Sequence, residues 1–233
     1  MTHGSDTRGI NTALLYQRDQ FGYIGHREHS VVFTRKNHKH TRNLLHVWGK
    51  VITADTLDVF VCHLPSRYGG EKESEAARFD AARTLRNLCD SLLGTRTNPQ
   101  ILIMGDFNDT AENASITQIL AAGKIGKRIE AKKLYNLFAD PHVLHYPGTH
   151  KYQGEWNQLD HIIVSGNLID TTSSMHLLPG SNRIFAPPFL LTNDKTWQGK
   201  RPFRTYYGFK YEGGYSDHLP LITDFLLSLP DKD

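Results

Sequence analysis

Residues 100–108 read Gln-Ile-Leu-Ile-Met-Gly-Asp-Phe-Asn. The apolar run follows Asn98-Pro99 and stops at Gly105, which predicts a short buried β-strand over residues 100–105. The Asp-Phe-Asn that follows puts a carboxylate and an amide just beyond the strand end. Ligands of sheet proteins collect where loops leave strands. This stretch is therefore the first candidate site.

The segments around this strand predict further strands and one clear helix. Apolar residues spaced three and four apart predict an α-helix over residues 71–93 that ends near Gly94, and a weaker helix is predicted over 113–122. Strand pairs around helices predict an α/β protein with a mixed or antiparallel sheet. No composition break marks a boundary, so we expect one domain over residues 1–233. The other predicted strands are 10–16, 30–34, 44–53, 57–63, 159–165 and 219–227, with a hairpin turn at 54–56 and long loops with short strands over 178–214.

Composition excludes several classes of protein. The chain has 233 residues, of which 39% are apolar and 22% charged, an ordinary globular balance. Its pure apolar runs are about four residues long, whereas a membrane-spanning helix needs roughly 20. A net charge of +3 fits an anionic substrate without requiring nucleic acid. Two cysteines exclude a disulfide-rich scaffold, and both lie in apolar patterns typical of buried thiols.

Three other predicted strands carry polar residues at their ends. His63 is the last residue of strand 57–63, Asp160 lies at the start of strand 159–165, and Asp217-His218 precedes strand 219–227. Hydrolysis of a phosphate ester needs an activated water, a cation against the phosphoryl charge and positioning groups. Carboxylate and amide oxygens suit Mg²⁺, and imidazole titrates near neutral pH. The residue types therefore favour metal-dependent phosphate chemistry, and the chain has no Cys/His zinc spacing.

Each element taken singly also has a plainer interpretation. Gly-Asp-x-Asn is typical of a turn, Asp-His of a polar surface, His63 of a core histidine and Arg67 of a residue that caps a loop. These alternatives stay open at this point. His161 follows Asp160 on a strand, so we expect it on the opposite face, outside the site.

Taken together, the motifs resemble the endonuclease/exonuclease/phosphatase superfamily, which includes DNase I-like nucleases, abasic-site endonucleases, sphingomyelinases and inositol-polyphosphate 5-phosphatases. Their order and spacing match between residues 6 and 227. Residues 203–206 and 213–218 resemble a bacterial branch of the superfamily. The motifs are Arg8-Gly9-Ile10 with Ala13-Leu14-Leu15-Tyr16, His63-Leu64-Pro65-Ser66-Arg67, Gly105-Asp106-Phe107-Asn108, Leu159-Asp160-His161-Ile162-Ile163 and Ser216-Asp217-His218-Leu219-Pro220.

The resemblance implies an α/β fold, the DNase I-like four-layer α/β sandwich, with two central sheets flanked by helices. It implies a hydrolase that uses Mg²⁺ or Mn²⁺. Asp217, Asp106 and Asn108 are the implied metal ligands. Asp106 and Asn108 are also implied to hold the nucleophilic water and a phosphate oxygen.

The resemblance also implies catalytic roles. His218 either activates the water or contacts the scissile phosphate, and Asp160 orients its ring. His63 stabilises the phosphoryl group, and Arg67 adds positive charge to the same pocket. With Asn108, His63 and Arg67 form the implied phosphate-binding set.

One departure from the family pattern concerns the N-terminus. The pattern normally begins with a strand carrying an Asn and a second strand carrying a Leu-Gln-Glu-like motif, whose glutamate is the principal metal ligand. Here the Arg-Gly motif lies at residues 8 and 9, and Glu28 and the glutamates of 71–75 lie in other contexts. We therefore expect a chain truncated at its N-terminus, by an internal start, by natural loss, or with the missing part supplied by another chain.

The expected loss weakens metal binding, because one charged ligand is missing from a hard-metal site. We expect an impaired enzyme, or alternatively a non-catalytic phosphate-binding remnant of the same fold.

Substrate and partners stay open. Aromatic and basic residues alternate over 195–207, a pattern that suits nucleic-acid bases, a lipid headgroup or simply a packed loop. No oligomeric state is predicted. The first residues have no signal-peptide pattern, which favours the cytoplasm only if the N-terminus is complete.

Overall fold

The computed structural model describes residues 1–3, 6, 9–34, 41–53 and 55–228. Arg8, part of the first motif, lies outside these residues. The dominant feature is a sheet of seven strands, which in spatial order are β1 (Phe21–His29), β2 (Leu44–Val51), β3 (Thr56–His63), β4 (Gln100–Asp106), β9 (Asp160–Ser165), β6 (Leu134–Asn136) and β5 (Ala122–Gly123).

Strand direction within the sheet follows from the connections. β2 and β3 form an antiparallel pair, and Ala54 of the predicted hairpin turn lies outside the described residues. β3 and β4 are parallel, because helix α1 (Glu71–Thr95) connects them as a crossover. β9 then pairs antiparallel with β4. The sheet is therefore mixed, as the sequence predicted.

The sheet buries both of its faces. Alternate residues of β3 and β4, such as Phe60, Ile101 and Ile103, pack with the apolar stripe of α1 on one face. The intervening residues, such as Val59, pack on the other face against short strands near the C-terminus. Cys62 and Cys89 are both free and buried on the helix side, and burial raises the pKa of each thiol.

The remaining strands form two-stranded sheets, and the remaining helices are single turns. No helix among the described residues has both the length and the apolar character to cross a membrane. The strand pairs are β7 (His150–Tyr152) with β8 (Glu155–Asn157), β10 (Met175–Leu177) with β17 (Phe225–Leu227), β11 (Arg183–Ile184) with β16 (Leu221–Ile222), β12 (Leu191–Asn193) with β13 (Lys200–Pro202), and β14 (Tyr206–Tyr207) with β15 (Lys210–Tyr211). The short helices are a π turn at Ser115–Ile119 and 3₁₀ turns at Pro141–Val143, Gly166–Leu168 and Pro188–Leu190.

Two predicted strands are wrong. Residues 10–16 form no strand, and Leu15 is 94% exposed while Leu14 packs against the core. Residues 30–34 also form none, because the backbone and hydroxyl of Thr34 donate to Asp80 of α1 instead of to a neighbouring strand. The first strand is instead β1, whose polar, glycine-containing sequence gave no strand pattern.

Two other elements are shorter than predicted. The helix expected over 113–122 is only the π turn, and the positive φ of 54° at Ala121 comes directly after it. The strand expected over 219–227 is divided into β16 and β17, because they pair with different partners.

The layer arrangement is simpler than the resemblance implies. The described residues form helix α1 on one face of a single large sheet and short two-stranded sheets on the other. Mixed α/β architecture is confirmed, but the four-layer sandwich is not. A second large sheet does not form among the described residues, whose C-terminal strands are two or three residues long.

Candidate functional site

Three predicted site residues lie in one row across the sheet. His63 of β3 pairs with Asp106 of β4, and Asp106 pairs with Asp160 of β9. Because paired residues point to the same face, the three side chains project together from the face opposite α1. His63 Nε2 lies 3.4 Å from Asp106 Oδ2. Strand pairing alone therefore assembles three of the seven predicted site residues.

The Gly-Asp-Phe-Asn motif forms the tight exit from β4. A Cβ on Gly105, whose φ is 138°, would lie 1.9 Å from the carbonyl oxygen of Cys62, so only glycine fits. Asp106 Oδ1 accepts from the backbone N–H of Asn108, and Asn108 adopts the left-handed φ of 52° that Asn tolerates. The Asn108 amide donates to the carbonyl of Leu64 at 3.0 Å. The motif thus joins the loops that follow β3 and β4.

His218 reaches this row from the C-terminal part of the chain. Its backbone N–H donates to Ser216 Oγ, and it forms an isolated antiparallel bridge with His150. Its Nδ1 lies 2.7 Å from Asp160 Oδ2, and its Nε2 lies 3.9 Å from Asp106 Oδ2. The ring is therefore held by one carboxylate and faces a second.

Proximity and burial change how these groups ionise. Burial and the neighbouring charge of Asp160 raise the pKa of Asp106 to about 6. Burial opposes charge on His218, but the hydrogen bond and charge of Asp160, together with Asp106 and Asp217, outweigh it and raise its pKa to about 9. The His218 imidazole is therefore protonated at neutral pH.

The sequence did not single out His150, which lies beside His218. The two rings are 4.7 Å apart, and burial followed by the charge of His218 lowers the pKa of His150 to about 4. His150 is the first residue of the three-residue strand β7, and no motif marks it. Only the cross-chain bridge to His218 brings it into the site.

Arg204 is a second residue whose position the sequence did not predict. Its Nη2 lies 4.0 Å from Asp217 Oδ2. Its Nε is buried without a hydrogen-bond partner among the described residues. Arg204 is therefore the cation beside Asp217 at the edge of the site.

Among the residues that the structure describes, two groups of side chains have donor atoms close enough to share a cation. One is Asp106, Asp160 and His218, and the other is His150, Asp217 and His218; in each group the donor atoms lie within 4.8 Å of one another. The expected ligands Asp106 and Asp217 therefore belong to different groups, on either side of His218. Asp106 and Asp160 face one another, and burial together with the charge of Asp160 raises the pKa of Asp106. Two carboxylates so placed are a donor set that fits a hard divalent cation.

Arg67 contacts protein groups with each of its guanidinium nitrogens. Nε donates to the Asn108 carbonyl at 2.7 Å, Nη1 pairs with Glu71, and Nη2 lies 3.4 Å from Asp109 and 3.2 Å from Asn113. These contacts correspond to the loop-capping alternative. As it lies in this structure, Arg67 positions the loop after β4.

His161 lies on the opposite face from Asp160, as strand alternation predicted. It is fully buried, with Nδ1 near the Asn136 amide and Nε2 at 2.9 Å from the Asp109 carbonyl. It therefore belongs to the core on the helix side.

An open groove of about 530 Å³ runs beside His218 and Asp160. Its walls are mostly apolar, and Met104, Leu190 and Tyr215 contribute to them. A substrate whose phosphate contacts His218 thus has room for an apolar or ring-shaped group next to it.

Comparison with known proteins extends these observations. The model of the endonuclease/exonuclease/phosphatase family matches residues 2–226. No curated protein matches the chain significantly.

Solved structures match at low sequence identity. A functionally unknown conserved protein from Enterococcus faecalis is 13% identical, with a TM-score of 0.56 over 91% of this chain and 69% of that one. The human Nocturnin catalytic domain, solved with a bound sulfate anion, is 14% identical, with a TM-score of 0.53 over 91% and 62%. A mannosyl-6-phosphatase from Bacteroides thetaiotaomicron is 18% identical, with a TM-score of 0.54 over 91% and 69%. The chain thus spans between 62% and 69% of these three proteins, and the likeness shows a shared fold.

Proposed function

This chain belongs to the endonuclease/exonuclease/phosphatase family, and from that premise we propose that it hydrolyses a phosphodiester at the His63, Asp106, Asp160 and His218 cluster with a divalent cation. Membership of the family makes the protein a hydrolase of phosphate esters. The observation that carries the proposal is the contact of His218 with Asp160 at 2.7 Å while its other nitrogen faces Asp106 at 3.9 Å.

In this proposal the two imidazoles bind the phosphoryl group. The Nδ1–H of His218 donates to Asp160, and its Nε2–H donates to a phosphate oxygen. His63 contacts the phosphate from the other side of Asp106, since its Nε2 lies 3.4 Å from the same Oδ2 atom. Cationic donors that stabilise the charge developing on a phosphoryl oxygen are a large catalytic contribution.

Asp106 acts as the acceptor of the water proton. Its Oδ1 is held by the Asn108 N–H, so Oδ2 is the atom that turns toward the substrate.

Mg²⁺ or Mn²⁺ is the cation we propose, held by Asp106 with Asp160 or by Asp217. When bound, it supplies Lewis-acid charge to the phosphoryl oxygens and lowers the pKa of water. The backbone N–H of Asn108 donates to Asp106, and its side-chain nitrogen donates to the Leu64 carbonyl instead of to the phosphate.

We further propose that metal affinity and turnover of this chain are low. The cation has to compete with a proton on Asp106 and with the positive charge of His218. A hard cation binds more weakly when its ligands carry little net negative charge.

The test is hydrolysis of bis(p-nitrophenyl) phosphate with Mg²⁺ or Mn²⁺. We expect slow, metal-dependent turnover that falls about 100-fold or more in His218→Ala and strongly in Asp217→Ala. Tyr23→Ala is the control, since Tyr23 lies at the opposite end of the sheet, in register with Gly49 and through it with Leu57.

Unchanged rates in both site variants would remove the residue assignment. Turnover as fast as that of an active member of the family would contradict the proposed impairment. No turnover, with inorganic phosphate still binding by calorimetry, would favour the non-catalytic phosphate-binding alternative.

A further inference from the structure

The segment from residue 183 to residue 215, called here the aromatic–basic face, presents an unusual surface next to the site. It contains nine aromatic residues, and eight of them are exposed. Phe209, in the turn between β14 and β15, is fully exposed, and Tyr211 is 65% exposed. Exposed aromatic surface on this scale is typical of a binding region rather than of a packed loop.

The same segment is positively charged. It contains six Lys and Arg residues against two acidic ones. Both acidic residues are neutralised, since Arg201 pairs with Glu212 at 2.7 Å and Lys151 pairs with Asp194 at 3.0 Å. Arg183 pairs with Asp224 at 3.5 Å and Arg204 lies 4.0 Å from Asp217, so the positive charge that the face offers to a partner comes from the exposed Lys195, Lys200 and Lys210.

The aromatic rings continue from the site outward. Tyr215 lines the groove beside His218, Phe189 packs edge-on against Tyr215 at 5.8 Å, and Phe185 lies 6.5 Å from Phe189. On the other side, Arg204 links Asp217 of the site to the ring of Tyr207, 5.7 Å away. Exposed rings thus begin at the catalytic cluster and extend from it on both sides.

A cleft of about 520 Å³ lies between the two hairpins of this face. Its walls combine rings and cations, among them Tyr207, Tyr211, Arg201 and Lys210. Arg201 already covers one side of the Tyr207 ring at 4.4 Å. A cleft of this size and lining suits a nucleotide, whose base stacks and whose phosphate pairs with the cations.

We propose that the aromatic–basic face binds single-stranded nucleic acid and delivers its phosphodiester backbone to the site, which rests on the phosphodiester hydrolysis proposed above. Aromatic rings that alternate with cations along a path are the physical requirement for holding successive bases and phosphates. A membrane is the competing partner for such a surface. It is disfavoured because the exposed rings are not confined to one tip: they extend from the turn at Phe209 back to Tyr215 in the wall of the groove beside His218.

The experiment measures fluorescence anisotropy of a dye-labelled oligothymidylate in EDTA, so that binding is read without turnover. We expect binding that weakens steeply as salt rises, because phosphate contacts release counterions. Tyr211→Ala should weaken binding about fivefold or more, the effect of one lost stacking contact. Lys210→Glu should weaken it as well and reduce its salt dependence, while Tyr23→Ala should leave it unchanged.

Other outcomes overturn the proposal. The proposal is wrong if oligothymidylate does not bind at low salt. It is also wrong if Tyr211→Ala and Lys210→Glu both bind the oligonucleotide as tightly as the unsubstituted protein. Binding to phosphatidylserine vesicles that the oligonucleotide does not compete away, and that Phe209→Ala abolishes, would assign the face to a membrane. Circular dichroism of each variant checks that it is folded.

The two proposals fail separately. If the small diester is hydrolysed and the oligonucleotide does not bind, the aromatic–basic face is wrong and the hydrolytic site stands. If the oligonucleotide binds and the small diester is not hydrolysed, the face stands as a binding surface and the hydrolysis is wrong.

Discussion

Asp106 and Asp160 lie opposite each other on paired strands, and their charges repel. Because the pKa of Asp106 is raised to about 6 in the folded chain, the stability it provides is full below its unfolded pKa and is lost as pH rises through about 6. At pH 7 the ionised carboxylate therefore destabilises the fold. Catalytic sites commonly carry such a conflict between activity and stability.

The conflict gives a prediction for Asp106→Asn. The uncharged isostere removes the repulsion, so the free energy of unfolding at pH 7 should rise by about 1 to 2 kcal/mol. Calorimetric binding of Mn²⁺ should weaken in the same variant. Urea denaturation at pH 7 measures the first effect, with exposed Asp19→Asn as the control. A variant less stable than the parent would contradict the repulsion.

His218 holds its proton at neutral pH, whereas a catalytic base has to be unprotonated there. Its folded pKa of about 9 exceeds the unfolded value, so its stabilising contribution is full below about 6.5 and is lost as pH rises through about 9. Asp160→Asn should lower the pKa of His218 toward 6.5, because the hydrogen-bonded anion is removed. An NMR titration of the metal-free protein measures this, and an unchanged midpoint would show that Asp160 does not hold the proton on the ring.

Helix α1 is tied to the loop after β4 by a buried ion pair. Arg78 Nε lies 2.7 Å from Asp109 Oδ1, both residues are 1% exposed, and Ser115 donates to the other oxygen of Asp109. Since Asp109 directly follows Asn108, this pair fixes the position of the Gly-Asp-Phe-Asn turn. Its importance lies in holding the site and not in a large net contribution to stability.

Removing one partner should be costly. Asp109→Ala leaves the Arg78 guanidinium buried without its counterion, so urea denaturation should show a loss of about 3 to 5 kcal/mol. Asp90→Ala breaks the exposed pair with Arg86 on the same helix and should cost less than about 1 kcal/mol. Equal losses in the two variants would argue against a special role for the buried pair.

The sequence predicted the buried strands and helix and missed an exposed strand. β2, β3, β4, β9 and α1 are buried on one or both faces, so their apolar periodicity identified them. β1 was missed because it is an edge strand with mostly exposed side chains, and residues 10–16 were mistaken for a strand because their apolar residues do not pair.

The sequence likewise predicted some residues of the candidate site and missed others. The motifs supplied His63, Asp106, Asp160 and His218, because each lies at a strand end or in a recognisable turn. His150 was not predicted, since its closeness to His218 arises from one bridge between distant parts of the chain.

At the scale of the whole molecule, the large sheet and the aromatic–basic face differ in the length of their strands and in how much of each is buried. Five of the seven strands of the sheet are six to nine residues long, and they lie between two buried cores. The strands of the face pair over only two or three residues. Local stability follows buried contacts and protected backbone bonds.

Hydrogen exchange read by mass spectrometry should therefore resolve two classes of backbone. Amides of β2, β3, β4 and α1 should exchange slowly, and those of residues 191–211 should exchange much faster. Addition of oligothymidylate should slow exchange in the second class. Equal protection of the two regions in the free protein would contradict this difference in stability.

The row formed by His63, Asp106 and Asp160 has a consequence for how such a protein changes over generations. The spacing of these groups is set by backbone ladders, so it does not depend on the loops that meet the substrate. Loops and hairpins are free to lengthen, shrink or exchange residues while the reactive atoms keep their separations. An insertion of a single residue inside β4, by contrast, would turn Asp106 to the other side of the sheet and disable the chemistry at once.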